Sequence, residues 1–209
     1  MKISVTGIIG VIGSGKDTYK NSVIDNSEHC IVGDFSDGVR EFVSSFIGFP
    51  ISSLNEEEYR RWKDNHAVFV IGRNNLPNSK LTGRRLLENV GKTLRRYDNS
   101  FWANYCASQI YKEAISLKDS GFSGKLDICF GSVRYAEEAR SIFDLTKDLG
   151  MSFEVVPELK MVFTNYKSPF YSIRNDESEF FAQAFVNIGC KHLEDITLKV
   201  ADTIGWKNL

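Results

Sequence analysis

The sequence predicts an α/β fold with a mostly parallel central sheet flanked by helices. Short apolar, β-branched runs alternate with segments of helical periodicity along its 209 residues. The first run stops at a glycine-rich turn that opens straight into a helical segment. Neither an internal repeat nor a low-complexity linker interrupts this alternation.

The elements follow in order. Residues 2–9 alternate and then run apolar, with Ile3, Val5, Thr6, Ile8 and Ile9, and read as a buried strand. Residues 16–24 have helical character, and residues 30–32 form a short second strand ending at Gly33 and Asp34. A helix then runs through Val39, Phe42, Val43 and Phe46 to Gly48, with Asp37 placed to cap it. Residues 50–79 are polar and interrupted, which predicts a short helix and a long loop. Residues 82–96 form another helix, and Asn99 or Ser100 begins a longer one reaching Leu117.

Residues 126–130 read as a core strand, followed by a helix over about 136–149. Residues 153–156 and 160–164 are strand candidates. Residues 165–179 form a polar, mobile-looking segment. At the end, Leu193, Ile196, Val200 and Ile204 share one face of an amphipathic helix.

Composition bounds the function. A length of 209 residues supports one domain, with room for a small inserted subdomain. Hydrophobic content of 42% and charged content of 25% argue against wholesale disorder. A net charge of -1 without a basic block weakens a nucleic-acid polymer as partner, although a local basic groove fits within a neutral total. No apolar run approaches the roughly 18 residues needed to span a bilayer, so no membrane partner is expected. Glycines and the Lys16–Asp17 pair set the amino terminus apart from a secretory signal. Cys30, Cys106, Cys129 and Cys190 are widely spaced without a CxxC pair, which predicts buried free thiols in a reducing cytoplasm. His29, His66 and His192 join no motif.

The residues Gly10-Val11-Ile12-Gly13-Ser14-Gly15-Lys16-Asp17-Thr18 carry the spacing GxxxxGK. A triphosphate needs several backbone N–H groups converging on its oxygens, and glycine lets the chain curl that closely. The following helix points its positive dipole end at the same anion. Lys16 then reaches the β- and γ-phosphates. The residue after the lysine, usually a Ser or Thr that binds magnesium, is Asp17, with Thr18 next. Asp17 either holds magnesium or orients the acceptor, or it is a first-turn carboxylate that stabilises the helix.

Joining two polyanions demands cationic groups. Arg84 and Arg95 lie eleven residues apart, close to three helical turns, so one helix presents both to one side. Their planar forks suit a monophosphate; the alternative is a solvated face shared with Arg85 and Arg96. Arg134 follows a core strand, where α/β sheets place ligands, or it partners Glu138. Asp34 and Asp37 follow the second strand and suit a sugar hydroxyl or an attacking oxygen. Phe101 and Trp102 either stack on a base or fill the core. Lys167 and Arg174 lie in a candidate lid over residues 165–180, where solvated charge is the ordinary reading.

The Gly15-Lys16-Asp17-Thr18 ending is similar to bacteriophage deoxynucleoside monophosphate kinases. A second block, Gly83-Arg84-Arg85-Leu86-Leu87-Glu88-Asn89-Val90-Gly91 followed by Arg95 or Arg96, Asp98 and Phe101-Trp102, resembles that family's arginine, Leu-Leu-Gln, glycine and aromatic-Trp pattern. A third, Ser132-Val133-Arg134-Tyr135-Ala136-Glu137-Glu138-Ala139, resembles its Asp-x-Arg-aromatic-x-x-Glu segment. Ser132 and Glu88 depart from the family's acid and Gln.

The resemblance implies a single P-loop kinase domain with a helical monophosphate-binding insertion, here about residues 36–120, and a small lid. It implies ATP and Mg²⁺ as cofactors, transfer of the γ-phosphoryl group to a deoxynucleoside monophosphate, and a host cytoplasm if phage-encoded. Two other functions stay open. One is a related kinase that phosphorylates a modified base, such as hydroxymethyluracil, in phage DNA. The other is a nucleotide-binding sensor or scaffold without turnover.

Overall fold

The computed structural model describes residues 1–11, 13–64, 81–155, 157–164 and 180–182 of the chain. β-Branched and apolar runs form four strands: β1 (Lys2–Ile9), β2 (His29–Gly33), β3 (Lys125–Val133) and β4 (Glu158–Phe163). Between them lie α1 (Lys16–Asp25), α2 (Asp37–Ile47), a 3-10 turn (Ile51–Ser53), α3 (Glu56–Asp64), α4 (Gly83–Tyr97), α5 (Phe101–Asp119) and α6 (Ala136–Ser152). Successive strands are separated by helical crossovers, so all can run the same way. The sheet is entirely parallel, in the order β2-β3-β1-β4.

The chain divides into two compact units. The first holds residues 1–35 and the described residues from Ala103 onward. Alternation along each strand sends Ile3, Val5 and Ile9, Leu126, Ile128 and Phe130, and Met161 and Phe163 into one cluster. Ala103, Cys106, Ile110 and Ala114 of α5 and Ala139, Ile142, Leu145 and Leu149 of α6 complete it, at helical spacing. Each fully buried side chain of this kind contributes roughly 1.5–3 kcal/mol. On the other face Ile8, Cys129 and Val162 meet Tyr19 and Val23 of α1.

The second unit, Ser36–Trp102, is helical. Val39, Val43, Ile47, Ile51, Leu86 and Trp102 form its core. Thr82 caps α4 by accepting from the Arg85 amide at 3.2 Å, and Gly48 ends α2 at a φ of 68°. The helical region expected over 36–120 therefore divides at Trp102: from Ala103, α5 belongs with the sheet.

Several expectations shift. Residues 153–155 are not a strand. Phe153 ends α6 and is buried, with the Lys118 ammonium 5.0 Å from its ring centroid. Pro157, which has no N–H to donate, separates this corner from β4. α5 starts at Phe101 because the Asp98 carboxylate accepts from the Ser100 amide at 2.8 Å and its hydroxyl at 2.6 Å. The loop expected before Ser79, the lid over 165–180 apart from Phe180, and the final amphipathic helix lie outside the described residues, as do Lys167, Arg174 and Cys190. No helix among the described residues is long and apolar enough to cross a membrane.

Candidate phosphate-binding site

The carboxyl edge of the sheet gathers the first unit's candidates. β1 ends at Ile9 and the chain curls through Gly10 to Gly15 before α1 begins. Gly13 and Gly15 take φ angles of 78° and 84°, which L side chains rarely adopt. Gly15 occupies the cap position of α1 and no side chain caps the helix there. The leading amides of a helix have no acceptor within it, so the first turn of α1 brings its positive dipole end beside the curl.

Lys16 folds back over this curl. Its ammonium donates to the carbonyls of Gly10 at 2.8 Å and Val11 at 2.7 Å. Asp17 is 88% exposed, with its carboxylate 3.6 Å from the Lys20 ammonium. The Lys20 stem lies against Gly131, where a β carbon would come within 2.6 Å of Cδ. Thr18 is exposed beside them.

β3 contributes the opposite wall. Its pairing with β1 slips between Gly7 and Ile9, which face Phe130 and Val133, so β3 carries one extra residue there. Such a bulge re-aims side chains at a strand end. Ser132 then accepts from Arg134 Nε at 3.0 Å. Glu138 takes the Arg134 amide at 2.6 Å and the Tyr135 amide at 3.2 Å, closing the start of α6. The pairing foreseen for Arg134 and Glu138 thus runs through the main chain, and the exposed guanidinium turns to Ser132. Asp34 sits just past β2 at the same edge, half-buried.

The remaining candidates belong to the second unit. Asp37 does not cap α2: it is the first helical residue, Ser36 holds the cap position, and the Asp37 carboxylate pairs with Arg40. Arg84 and Arg95 both lie on α4, and Arg84 donates from Nε and Nη2 to one oxygen of Asp64 at 3.1 and 2.8 Å. Trp102 is 6% exposed and its indole donates to the Gly91 carbonyl at 3.1 Å. It is a core residue, which removes it as a base-stacking platform. Phe101, packed edge-on against it, keeps the outward position.

The sequence reading missed a cluster in this unit. The Lys63 ammonium sits 4.3 Å from the Tyr59 ring centroid and the Arg40 guanidinium 5.8 Å from it. Burial first, then the Arg84 cation, pushes the Lys63 pKa down; Asp64 opposes this, while Arg40 and Arg60 add to it. Arg40 and Arg84 each pair with a carboxylate, Asp37 and Asp64. The distant positions of the three cations in the sequence, on α2, α3 and α4, gave no local signal.

Thr164, just beyond β4, was also missed. Its hydroxyl lies 2.9 Å from that of the buried Ser14. A threonine ending an apolar strand has no pattern that marks it.

The glycine cradle fits a polyphosphate. Among the described residues no group of three or more His, Cys, Asp or Glu side chains gathers to hold a metal. Asp17 is the acidic residue in the first turn of α1. No protein-family model matches this chain, and a comparison with curated proteins finds no match.

Proposed function

We propose that the protein is a phosphotransferase that moves the ATP γ-phosphoryl group to a deoxynucleoside monophosphate. The observation that carries this reading is the curl at Gly10–Gly15, with two glycines at positive φ and Lys16 folded across it. Joined to an uncapped helix start, it offers amides and one ammonium to a polyphosphate.

The chain's own groups divide the work. Amides of the loop and the first turn of α1 bind and orient the donor phosphates. Lys16 exchanges its two carbonyl acceptors for phosphate oxygens, an exchange of neutral for charged partners that favours the ligand. Asp17 would hold a magnesium ion, which would supply charge neutralisation on the phosphates when bound. Arg134 supplies a guanidinium at the sheet edge. In the helical unit, Arg40, Lys63 and Arg84 supply the charge an acceptor phosphate requires, with Arg95 further along α4. The monophosphate-binding role of this unit and a lid including Lys167 and Arg174 belong to the same reading. Positioning and charge neutralisation carry the catalysis, so no covalent enzyme intermediate forms.

The test mixes the protein with labelled ATP, magnesium and either single deoxynucleoside monophosphates or duplex DNA containing hydroxymethyluracil. Label on a mononucleotide supports the proposal. Label on DNA replaces it with the polymer-directed kinase, and binding without transfer to either replaces it with a nucleotide sensor.

A further inference from the structure

Thr164 makes three bonds, two to the end of β1 and one to the phosphate loop. Its amide donates to the Ile9 carbonyl at 2.8 Å, and its hydroxyl lies 3.3 Å from the same oxygen. That hydroxyl is also 2.9 Å from Ser14 Oγ. Ser14 is 1% exposed and its amide donates to Val11 at 3.2 Å, so both ends of this residue are committed inside the curl. The space between is closed: a β carbon on Gly10 would lie 2.3 Å from Thr164 Oγ1 and 2.4 Å from Ser14 Oγ.

The proton count is complete in this arrangement. With the Thr164 hydroxyl donating to Ile9, the Ser14 hydroxyl donates to Thr164 Oγ1, and neither buried proton lacks an acceptor. A single oxygen thereby ties the end of β1 to the middle of the loop.

We propose that Thr164 is a positioning residue for triphosphate binding, whose hydroxyl bridges Ile9 and Ser14 and holds the loop curled before the ligand arrives. The proposal rests on the phosphate-loop reading above. A loop already curled does not have to be ordered on binding, and that saving appears as affinity. Valine at this position keeps the shape and removes the bridge, whereas serine keeps the bridge and removes a methyl group.

The experiment compares wild type, Thr164→Val, Thr164→Ser and Ser14→Ala. Titration calorimetry measures ATP and tripolyphosphate binding, steady-state kinetics separates KM from kcat, and amide NMR follows Gly13 and Gly15 in the ligand-free protein. Thr164→Val and Ser14→Ala should each weaken both ligands about two- to tenfold, as loss of one hydrogen bond does. The rise in ATP KM should exceed any fall in kcat, the Gly13 and Gly15 signals should move, and Thr164→Ser should restore binding to within about twofold. Wild-type affinity together with unmoved glycine signals in Thr164→Val overturns the proposal. If Thr164→Val does not fold, Ser14→Ala decides by the same criteria. If the wild type binds neither ligand, the phosphate-loop reading fails, and the glycine signals alone judge the bridge: moved signals uphold it and unmoved signals overturn it.

Discussion

The Lys16 ammonium donates to the Gly10 carbonyl at 2.8 Å, six residues back along the chain. With its second bond to Val11, this lysine is held by two carbonyls of the curl that precedes it.

Replacing Lys16 by methionine keeps the stem and removes the charge. Transfer from ATP should fall at least about a hundredfold, the scale seen when a preorganised charge-stabilising donor is removed. Stability should fall by about 1–3 kcal/mol, because two part-buried bonds from a charged donor are lost. Parallel urea unfolding and phosphoryl-transfer assays check both. Full activity in the variant removes Lys16 from the mechanism.

Gly10→Ala should be costly for a different reason. The new methyl group meets Thr164 Oγ1, Ser14 Oγ and the Thr164 carbonyl oxygen, the last at 2.9 Å and part of the backbone. Overpacking of this kind costs about 1–3 kcal/mol. The loop must also open, so ATP affinity should fall together with the unfolding midpoint.

The helical unit offers a contrast between charge used for structure and charge used for binding. Arg84 and Asp64 are 44% and 53% exposed, and such pairs contribute about 0–1 kcal/mol. Arg84→Ala should therefore leave the unfolding curve nearly unchanged. Arg40→Ala and Lys63→Ala should raise the KM for the acceptor nucleotide while the KM for ATP holds. Equal changes in both constants would count against an acceptor site around Tyr59.

The thiols should differ in reactivity. Burial, reinforced by Cys30 and Asp127 and opposed by Lys20, pushes the Cys129 pKa up to about 12. Cys30 is raised as well, chiefly by burial, but is only half-buried. Little thiolate exists on either near neutral pH. Alkylation of the native protein at pH 8, followed by peptide mapping, should label Cys30 before Cys129, and denaturant should remove the difference.

Acid should loosen the start of α5. The Ser100 hydroxyl, and then its amide, hold the Asp98 pKa below its ordinary 3.8. A depressed carboxylate stabilises the fold above its unfolded pKa and loses that contribution as pH falls through the lower folded value. The Ser100 amide signal should therefore titrate below pH 3.8. Asp98→Asn should remove the titration and leave the turn weakened at every pH.

The parts of the fold that could be read from the sequence were those fixed by local chemistry. β1 and α1 are bounded by a glycine turn, and Thr82 marks the start of α4 by its hydroxyl alone. The apolar run at residues 153–156 misled because Phe153 buries itself as the end of a helix, which a strand pattern cannot distinguish from alternation. The positive φ of Gly13 and Gly15 was legible because a tight curl between strand and helix requires glycine there. Trp102, by contrast, was open to base stacking, with burial the commoner role for an aromatic at helical spacing, and its burial with the indole proton on the Gly91 carbonyl decides for the core. Thr164 meets Ser14 from 150 residues away, and the Arg40 guanidinium reaches Tyr59 from another helix, so no short window of sequence contains those pairs.

The pairing of β1 has a consequence for synthesis on the ribosome. Val5 sits opposite Ile128 on one side and Leu159 on the other, so β1 has neither sheet neighbour until the much later β3 and β4 have been translated. The helices of residues 36–102 emerge earlier and hold a cluster of their own. The nascent protein must therefore keep an apolar amino-terminal strand out of aggregation while a later-made segment is already packing. The curl that follows β1 gains its bond to Thr164 only after β4 has been made.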